Sequence, residues 1–257
     1  MNENMKAYDI FAIRDHYPHK GAKISSIFVH QQVLGVKKYN YRSLVLSPQP
    51  YFQNLEMRNF FSSKFKVNSL IDKYEGIDVI RPKFLKFPNQ FLYSFSLRNL
   101  KNSINQVISN YSARLIHAHF GQNGVASIDL KRKRKIPLIT SFYGYDSGRL
   151  GSKFRNYYAD LGQVGDLFLV LSSDMKRDLL KLGFPKEKII VHHLGVNLEK
   201  FKNNSLENRN FRFLAVANFE ENKGLHHIIS AFSRIRKDHS DIELVLVGSG
   251  PYKYFLS

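Results

Sequence analysis

Two histidines separated by one residue, His117 and His119 in the run LIHAHFGQNG (115–124), could do chemistry together. A strand sends alternate side chains to opposite faces, so both imidazoles point the same way. Histidine in such a place hydrogen-bonds hydroxyls or moves protons near neutral pH. Two histidines without a nearby carboxylate or cysteine make a poor metal site, and one of the pair can serve the core while the other serves a ligand. A second cluster, TSFYGYDSG (140–148), puts Tyr143, Tyr145 and Asp146 after another apolar run. Asp146 can accept hydrogen bonds from a hydroxylated ligand, or close an Asx-type turn in which Gly144 supplies a positive φ. A third, DHYPHKGAK (15–23), sets Gly21 between Lys20 and Lys23 ahead of the helical pattern Ile24–Leu34. Backbone N–H groups and a helix N-terminus there would favour an anion; the alternative is a plain basic loop.

Two further turns lie near the end of the chain. FEENKGL (219–225) brings Lys223 and Gly224 to a helix start, a position suited to a diphosphate. Gly248-Ser249-Gly250-Pro251 follows the next strand, where glycines permit close approach of a ligand, though such turns also form with none. The densest positive run, Lys131–Lys135, precedes a strand and suits the solvated end of a helix, where cations complement the dipole. The segment Arg81–Phe95 interleaves Arg81, Lys83 and Lys86 with Phe84, Phe87 and other aromatics. Such a mixture suits contact with an anionic lipid surface, and core burial of the aromatics does not explain why no carboxylate lies between Asp78 and Asp129.

The elements that must position these groups are strands and helices in alternation. Strands are expected at Tyr8–Ile13, Ser43–Leu46, Asp78–Ile80, Leu115–Ala118, Pro137–Phe142, Leu167–Leu171 and Ile189–Val191. Most are continuous apolar runs, as in a sheet covered on both faces. Ser173–Leu182 carries a helical stripe closed by Gly183 and Pro185. The pattern predicts an α/β doubly wound parallel sheet. Polar residues between Phe201 and Phe211 suit a linker, giving an expected first domain at 1–204 and a second, small β-α-β unit at 205–257.

The 257 residues carry 39 Lys and Arg against 21 Asp and Glu, a formal charge of +18. The first 205 residues hold 32 of the basic and 15 of the acidic residues, so the excess sits there and points to a polyanionic partner. A 43% hydrophobic content excludes a disordered chain, and the absence of cysteine excludes a disulfide scaffold or zinc ribbon. The polar start cannot hold the apolar stretch of a signal peptide, and no apolar run approaches the ~20 residues that span a bilayer. The expectation is a cytoplasmic protein, at most peripheral on the inner face of the cell membrane. No helix-turn-helix, RNP-type or zinc-knuckle motif supports specific nucleic-acid binding.

Five segments occur in order: LIHAHFGQNG, IPLITSFYGYD, LVLSSDMKRDLLKLGFPKEKIIVHHLGVNLEKF, FLAVANFEENKGLHHIISAF and ELVLVGSGP. Together they resemble the retaining GT-B glycosyltransferases of family four, closest in look to bacterial exopolysaccharide, capsule and colanic-acid enzymes. The resemblance implies two facing Rossmann-like domains, the acceptor on the first and a UDP- or GDP-linked sugar on the second. Transfer would retain the anomeric configuration without metal or other cofactor. The partners implied are a nucleotide sugar, a lipid-linked or glycan acceptor and the anionic membrane surface. Carried over by position, His119 and Tyr143 lie near the sugar, with Asp146 beside them as the third candidate catalytic residue. Gly21, Asn218, Lys223, Gly224, Gly248 and Gly250 fall to the donor and its phosphates. The sequence departs from the family pattern at Tyr143, where many members have His, and at Asn218, where many have Arg. The family's donor half also continues past the Gly-x-Gly-Pro turn and carries paired glutamates, whereas seven residues follow Gly250 here. The expectation is therefore a chain that is weakly active or inactive alone, or a non-catalytic docking module.

Overall fold

The computed structural model describes residues 5–51, 71–86, 93–148, 155–201 and 211–255. It divides into two compact units, Met1–Gly195 and Val196–Ser257. Positions 202–210, where the linker is expected, and Phe87 lie outside the described residues.

The first unit is built on an eight-stranded sheet. Its strands are β2 (Ile10–Ile13), β3 (Ser43–Leu46), β5 (Asp72–Tyr74), β6 (Ile77–Ile80), β9 (Leu115–His119), β10 (Leu138–Ser141), β11 (Leu167–Val170) and β12 (Ile189–Val191). They lie in the order β12-β11-β10-β9-β2-β3-β6-β5, all parallel except β5 against β6. Short parallel pairs, β1 (Lys6–Ala7) with β8 (Tyr111–Ser112) and β4 (Gln49–Pro50) with β7 (Lys83–Phe84), extend two corners. From β2 the chain runs outward through β3 to β6, then returns to place β9 on the other side of β2. The topological switch point therefore lies between β2 and β9, and a crevice opens beyond their C-terminal ends.

The two-residue period sorts the core. Ala12, Val45 and Val79 face α1 (Ile27–Lys37) and its Val29 and Val33. Phe11, Ile13, Leu44, Leu46, Ile80 and Ile116 face the opposite layer. That layer holds α2 (Tyr93–Val107), α3 (Gly121–Arg134), α4 (Arg155–Val164) and α5 (Ser173–Lys181). α5 starts where the Ser172 hydroxyl accepts the Met175 N–H at 3.2 Å and stops at Gly183, with φ 90°. The basic run ends α3 as expected: Lys131 pairs with Asp166 and Arg132 with Asp160, and Lys135 takes a left-handed φ of 54°.

Three expectations need correction. Tyr8–Ile13 is not one strand; it breaks at Asp9, whose carboxylate accepts the Arg42 N–H at 2.8 Å. The helix expected from Ile24 opens at Ile27, because Ser26 has φ 50° and Ile24 is left 86% exposed. The segment expected to face a membrane turns partly inward. Phe84 is buried in the main core, and Arg81 points back into the unit, donating to the Tyr17 carbonyl (3.2 Å), Ser47 Oγ (3.3 Å) and the Pro18 carbonyl (2.6 Å). A guanidinium has a fork of donors that can satisfy several loop acceptors at once, which is why the charge sits there. Of the expected membrane-facing residues, Lys86 is exposed, while Lys83 is half-buried and donates to Gln49 Oε1. No helix among the described residues is long and apolar enough to cross a membrane.

The second unit pairs β13 (Arg212–Val216) with β14 (Glu243–Val247) in parallel, with α6 (Leu225–Ile235) between them in sequence. α6 lays Phe232 against Phe213, ring centroids 6.0 Å apart.

Candidate functional site

β9 delivers His117 and His119 to one face, their ring centroids 4.1 Å apart. β10 is in register beside it, with Ser141 level with His119. His117 Nε2 lies 2.8 Å from Ser141 Oγ, and His119 Nδ1 lies 2.7 Å from Tyr143 Oη. Tyr143 also receives the Gln32 amide of α1 at 3.3 Å, and its ring packs on Phe28 and Phe120, both at 4.8 Å. Burial disfavours charge on the imidazoles: His117 is pushed down to about 4, with His192 adding to the effect, and His119 lies well below the ordinary histidine range, with His117 and Arg14 adding to it. Burial pushes Tyr143 up to about 12. At neutral pH the trio is therefore uncharged. It offers hydrogen bonds to hydroxyls rather than proton abstraction.

Asp146 has a different place from the one expected. It is 1% exposed, and both carboxylate oxygens are taken by backbone: Oδ1 accepts the Tyr143 N–H at 2.9 Å, and Oδ2 accepts the Gly121 N–H at 2.8 Å. Burial raises its pKa, and those N–H groups oppose the rise. The residue caps the first turn of α3 and holds the Tyr143 loop, so it positions the site and does not present a free carboxylate. Gly144, with φ 108°, makes the turn that brings the carboxylate round.

Sequence reasoning missed Arg14, Asp15, Gln32 and Asn123. Arg14 and Asp15 follow β2 directly, at the switch point. The Arg14 guanidinium stands 4.0 Å over the Phe120 ring, donates from Nε to Ser26 Oγ at 2.9 Å and pairs with Asp15. Asn123 Nδ2 donates to Asp15 Oδ1 at 2.9 Å and to the His119 carbonyl at 2.7 Å, joining the ends of β2 and β9. Phe120 between them has φ 73° and ψ 141°, strained for a residue with a side chain and worth about 1–3 kcal/mol. The signal that could have found these residues is topological: Arg14-Asp15 lies at a strand end beside a reversal of strand order.

Gly21 is exposed in a small turn closed by the His19 and Ala22 backbones, and its N–H donates to His19 Nδ1 at 3.1 Å. Since α1 opens only at Ile27, Gly21 does not stand at a helix N-terminus. In the second unit, Gly224 has φ 64° and leads into α6, after the single turn Glu221–Lys223, in which Lys223 is exposed. Asn218 is also exposed. A methyl group on Gly248 would stand 1.9 Å from the Ala217 carbonyl oxygen, and one on Gly250 2.4 Å from the Phe219 carbonyl oxygen. The close approach these glycines allow is that of the chain's own 217–219 turn. Beside His119, a cavity of about 290 Å³ lies between α1 and the sheet, bordered by Gln32, Val36, His117, Leu169 and His192. No group of three or more His, Asp or Glu able to hold a metal occurs among the described residues.

Two family models match the chain. One described as Glycosyltransferase Family 4 covers residues 36–200, and one described as Glycosyl transferases group 1 covers residues 196–257. WcaL of Escherichia coli (strain K12), named for colanic acid biosynthesis, is 30% identical over 169 residues, 63% of this chain and 42% of that protein. The amylovoran biosynthesis glycosyltransferase AmsK of Erwinia amylovora is 28% identical over 146 residues, 54% of this chain and 36% of its own length. The matched stretch thus spans less than half of these curated relatives. Among solved structures, sucrose-phosphate synthase from Thermosynechococcus elongatus is similar with a TM-score of 0.63 at 14% identity, over 93% of this chain and 62% of that one. Anabaena Alr3699/HepE in complex with UDP is similar with a TM-score of 0.62 at 14% identity, over 96% and 62%.

Proposed function

The chain belongs to glycosyltransferase family 4, and from that premise we propose that the protein moves a sugar from a nucleotide-diphospho-sugar to a glycan acceptor in polysaccharide biosynthesis. The observation that carries the reading is the switch-point crevice itself, where buried His119 and half-buried Tyr143, both uncharged, meet the strained Phe120 turn and the Arg14 cation. Uncharged hydrogen-bonding groups suit sugar hydroxyls, which are neutral at physiological pH. The colanic acid and amylovoran relatives and the UDP-bound fold neighbour support the substrate classes.

In this reading the first unit holds sugar and acceptor hydroxyls. The second presents Lys223 and the start of α6 to the diphosphate, where a cation and helix N–H groups offset the charge of the leaving group. The product keeps the anomeric configuration of the donor, and the lipid-linked class of acceptor agrees with the basic balance of the first unit. A purely membrane-docking role draws less support, since Arg81 and Phe84 face inward.

The test is calorimetric titration of the whole chain with UDP- and GDP-linked hexoses, followed by NMR of the anomeric proton in any glycoside formed. Binding of one nucleotide class, weakened about tenfold or more in His119→Gln, is expected, as a hydrogen bond of about 1.4 kcal/mol is removed. Absence of binding across all the nucleotide sugars would overturn the proposal.

A further inference from the structure

Tyr143 Oη is a junction of hydrogen bonds. The Gln32 amide donates to it across 3.3 Å, and His119 Nδ1 stands 2.7 Å away. A phenol has one proton and two lone pairs. Gln32 Nε2 has only protons to offer, so it occupies one lone pair. His119 Nδ1 is the other partner within hydrogen-bond distance of that oxygen among the described residues. The Tyr143 proton then goes to His119 Nδ1, and a neutral imidazole that accepts at Nδ1 carries its hydrogen on Nε2. That nitrogen is buried and has no hydrogen-bond partner among the described residues, on a side chain 1% exposed that borders the cavity beside α1.

We infer that Gln32 is a positioning residue which, acting through Tyr143, locks His119 as the Nε2–H tautomer, so that the buried imidazole donates a hydrogen bond to a sugar hydroxyl oxygen and does not accept one. The inference deepens the glycosyl-transfer reading of this crevice by naming the polarity of its buried histidine. It also gives Tyr143 a role compatible with its phenol: it passes hydrogen-bond polarity from α1 to β9 without losing its proton.

The test is NMR of the whole chain labelled with 15N-histidine, the His119 signals being identified by their loss in His119→Gln. In the unsubstituted protein at pH 7, Nε2 is expected at a protonated, pyrrole-type shift and Nδ1 at a pyridine-type shift. Gln32→Glu offers Tyr143 an acceptor in place of a donor, so the Tyr143 proton turns away and His119 switches to Nδ1–H. Gln32→Met removes the donor and supplies no acceptor, so the single tautomer is expected to give way to a mixture. A packing role for Gln32 would not distinguish these two substitutions. An Nδ1–H state in the unsubstituted protein, or Nε2–H persisting in Gln32→Glu, overturns the inference. Should Gln32→Glu fail to fold, Tyr143→Phe replaces it: loss of the single tautomer is expected, and unchanged His119 shifts overturn the assignment. No nucleotide sugar enters this measurement, so its outcome separates a failure of the tautomer assignment from a failure of the transfer reading.

Discussion

The carboxylate of Asp146 accepts the backbone N–H of Gly121 at 2.8 Å, 25 positions away in sequence, and so fastens the loop after β10 to the first turn of α3. Its other oxygen takes the Tyr143 N–H. The strained Phe120 turn and the Tyr143 phenol are thereby held as one piece. Asp146→Asn keeps one acceptor and sets an NH2 against a backbone donor. It is expected to lower unfolding free energy by about 1–3 kcal/mol, measured by urea denaturation. Stability within 0.3 kcal/mol of the original, by a rough error margin, would contradict the fastening role.

Gly121 has no room for a side chain. A methyl group there would stand 2.4 Å from Tyr158 Oη and 2.5 Å from the Phe142 ring. Gly121→Ala is expected to shift the α3 start and cost about 1–3 kcal/mol through overpacking. Gly35→Ala, where open space surrounds the position on α1, is the control and is expected to be neutral or stabilising. Equal thermal midpoints for the two variants would sink this account.

Arg81 holds the loop after β2 through the Tyr17 and Pro18 carbonyls. Arg81→Ala is expected to accelerate amide hydrogen exchange over residues 15–25 while β9 and β10 stay protected. Arg81→Lys restores little, because an ammonium cannot reproduce the fork. If the whole sheet loses protection together, Arg81 serves global stability and the local role is wrong.

Burial holds His117 and His119 below the ordinary histidine pKa of 6.5. Between pH 6.5 and the folded-state values, the unfolded chain binds protons that the folded chain does not. Stability is therefore full above pH 6.5 and falls as the pH drops, by about 1.4 kcal/mol per pH unit for each histidine. Denaturation curves from pH 7 to 4.5 should show that slope, and His119→Gln should remove about half of it. An unchanged slope in the variant would count against buried, neutral His119.

Asp78 gives the same sign for the opposite reason, since its partners favour the charged form. Burial pushes its pKa up, but the Tyr8 hydroxyl (2.6 Å) and Lys6 (2.9 Å) outweigh that and hold it below the usual 3.8. Its contribution is present above the ordinary carboxylate value and lost as pH falls through the depressed one. Tyr8→Phe is expected to cost about 1.5–3 kcal/mol at pH 7, and that cost should shrink in the acid range; a cost independent of pH would refute the coupling.

Much of the α/β order was legible because its signals are local. Ser43–Leu46, Ile189–Val191 and Glu243–Val247 lie where their apolar runs place them. His117 and His119 share a face because strand periodicity depends on nothing distant. The helix expected from Ile24 was misplaced because periodicity carries no information about the left-handed turn at Ser26. Arg81 looked like a surface cation because its loop acceptors lie more than 60 positions upstream.

By itself, then, the amino-acid order determined the alternation of strands and helices, the excess of positive charge in the first unit and the pairing of histidines on one strand face. Each follows from side-chain type and from spacing of a few residues. Only the tertiary structure decided that Asp146 is a backbone fastener, that Gly248 and Gly250 make room for their own chain, and that the free edge of His119 is buried beside the cavity under α1. Those outcomes depend on hydrogen-bond partners and neighbours brought together by the parallel register, and a linear pattern does not specify which distant groups will meet.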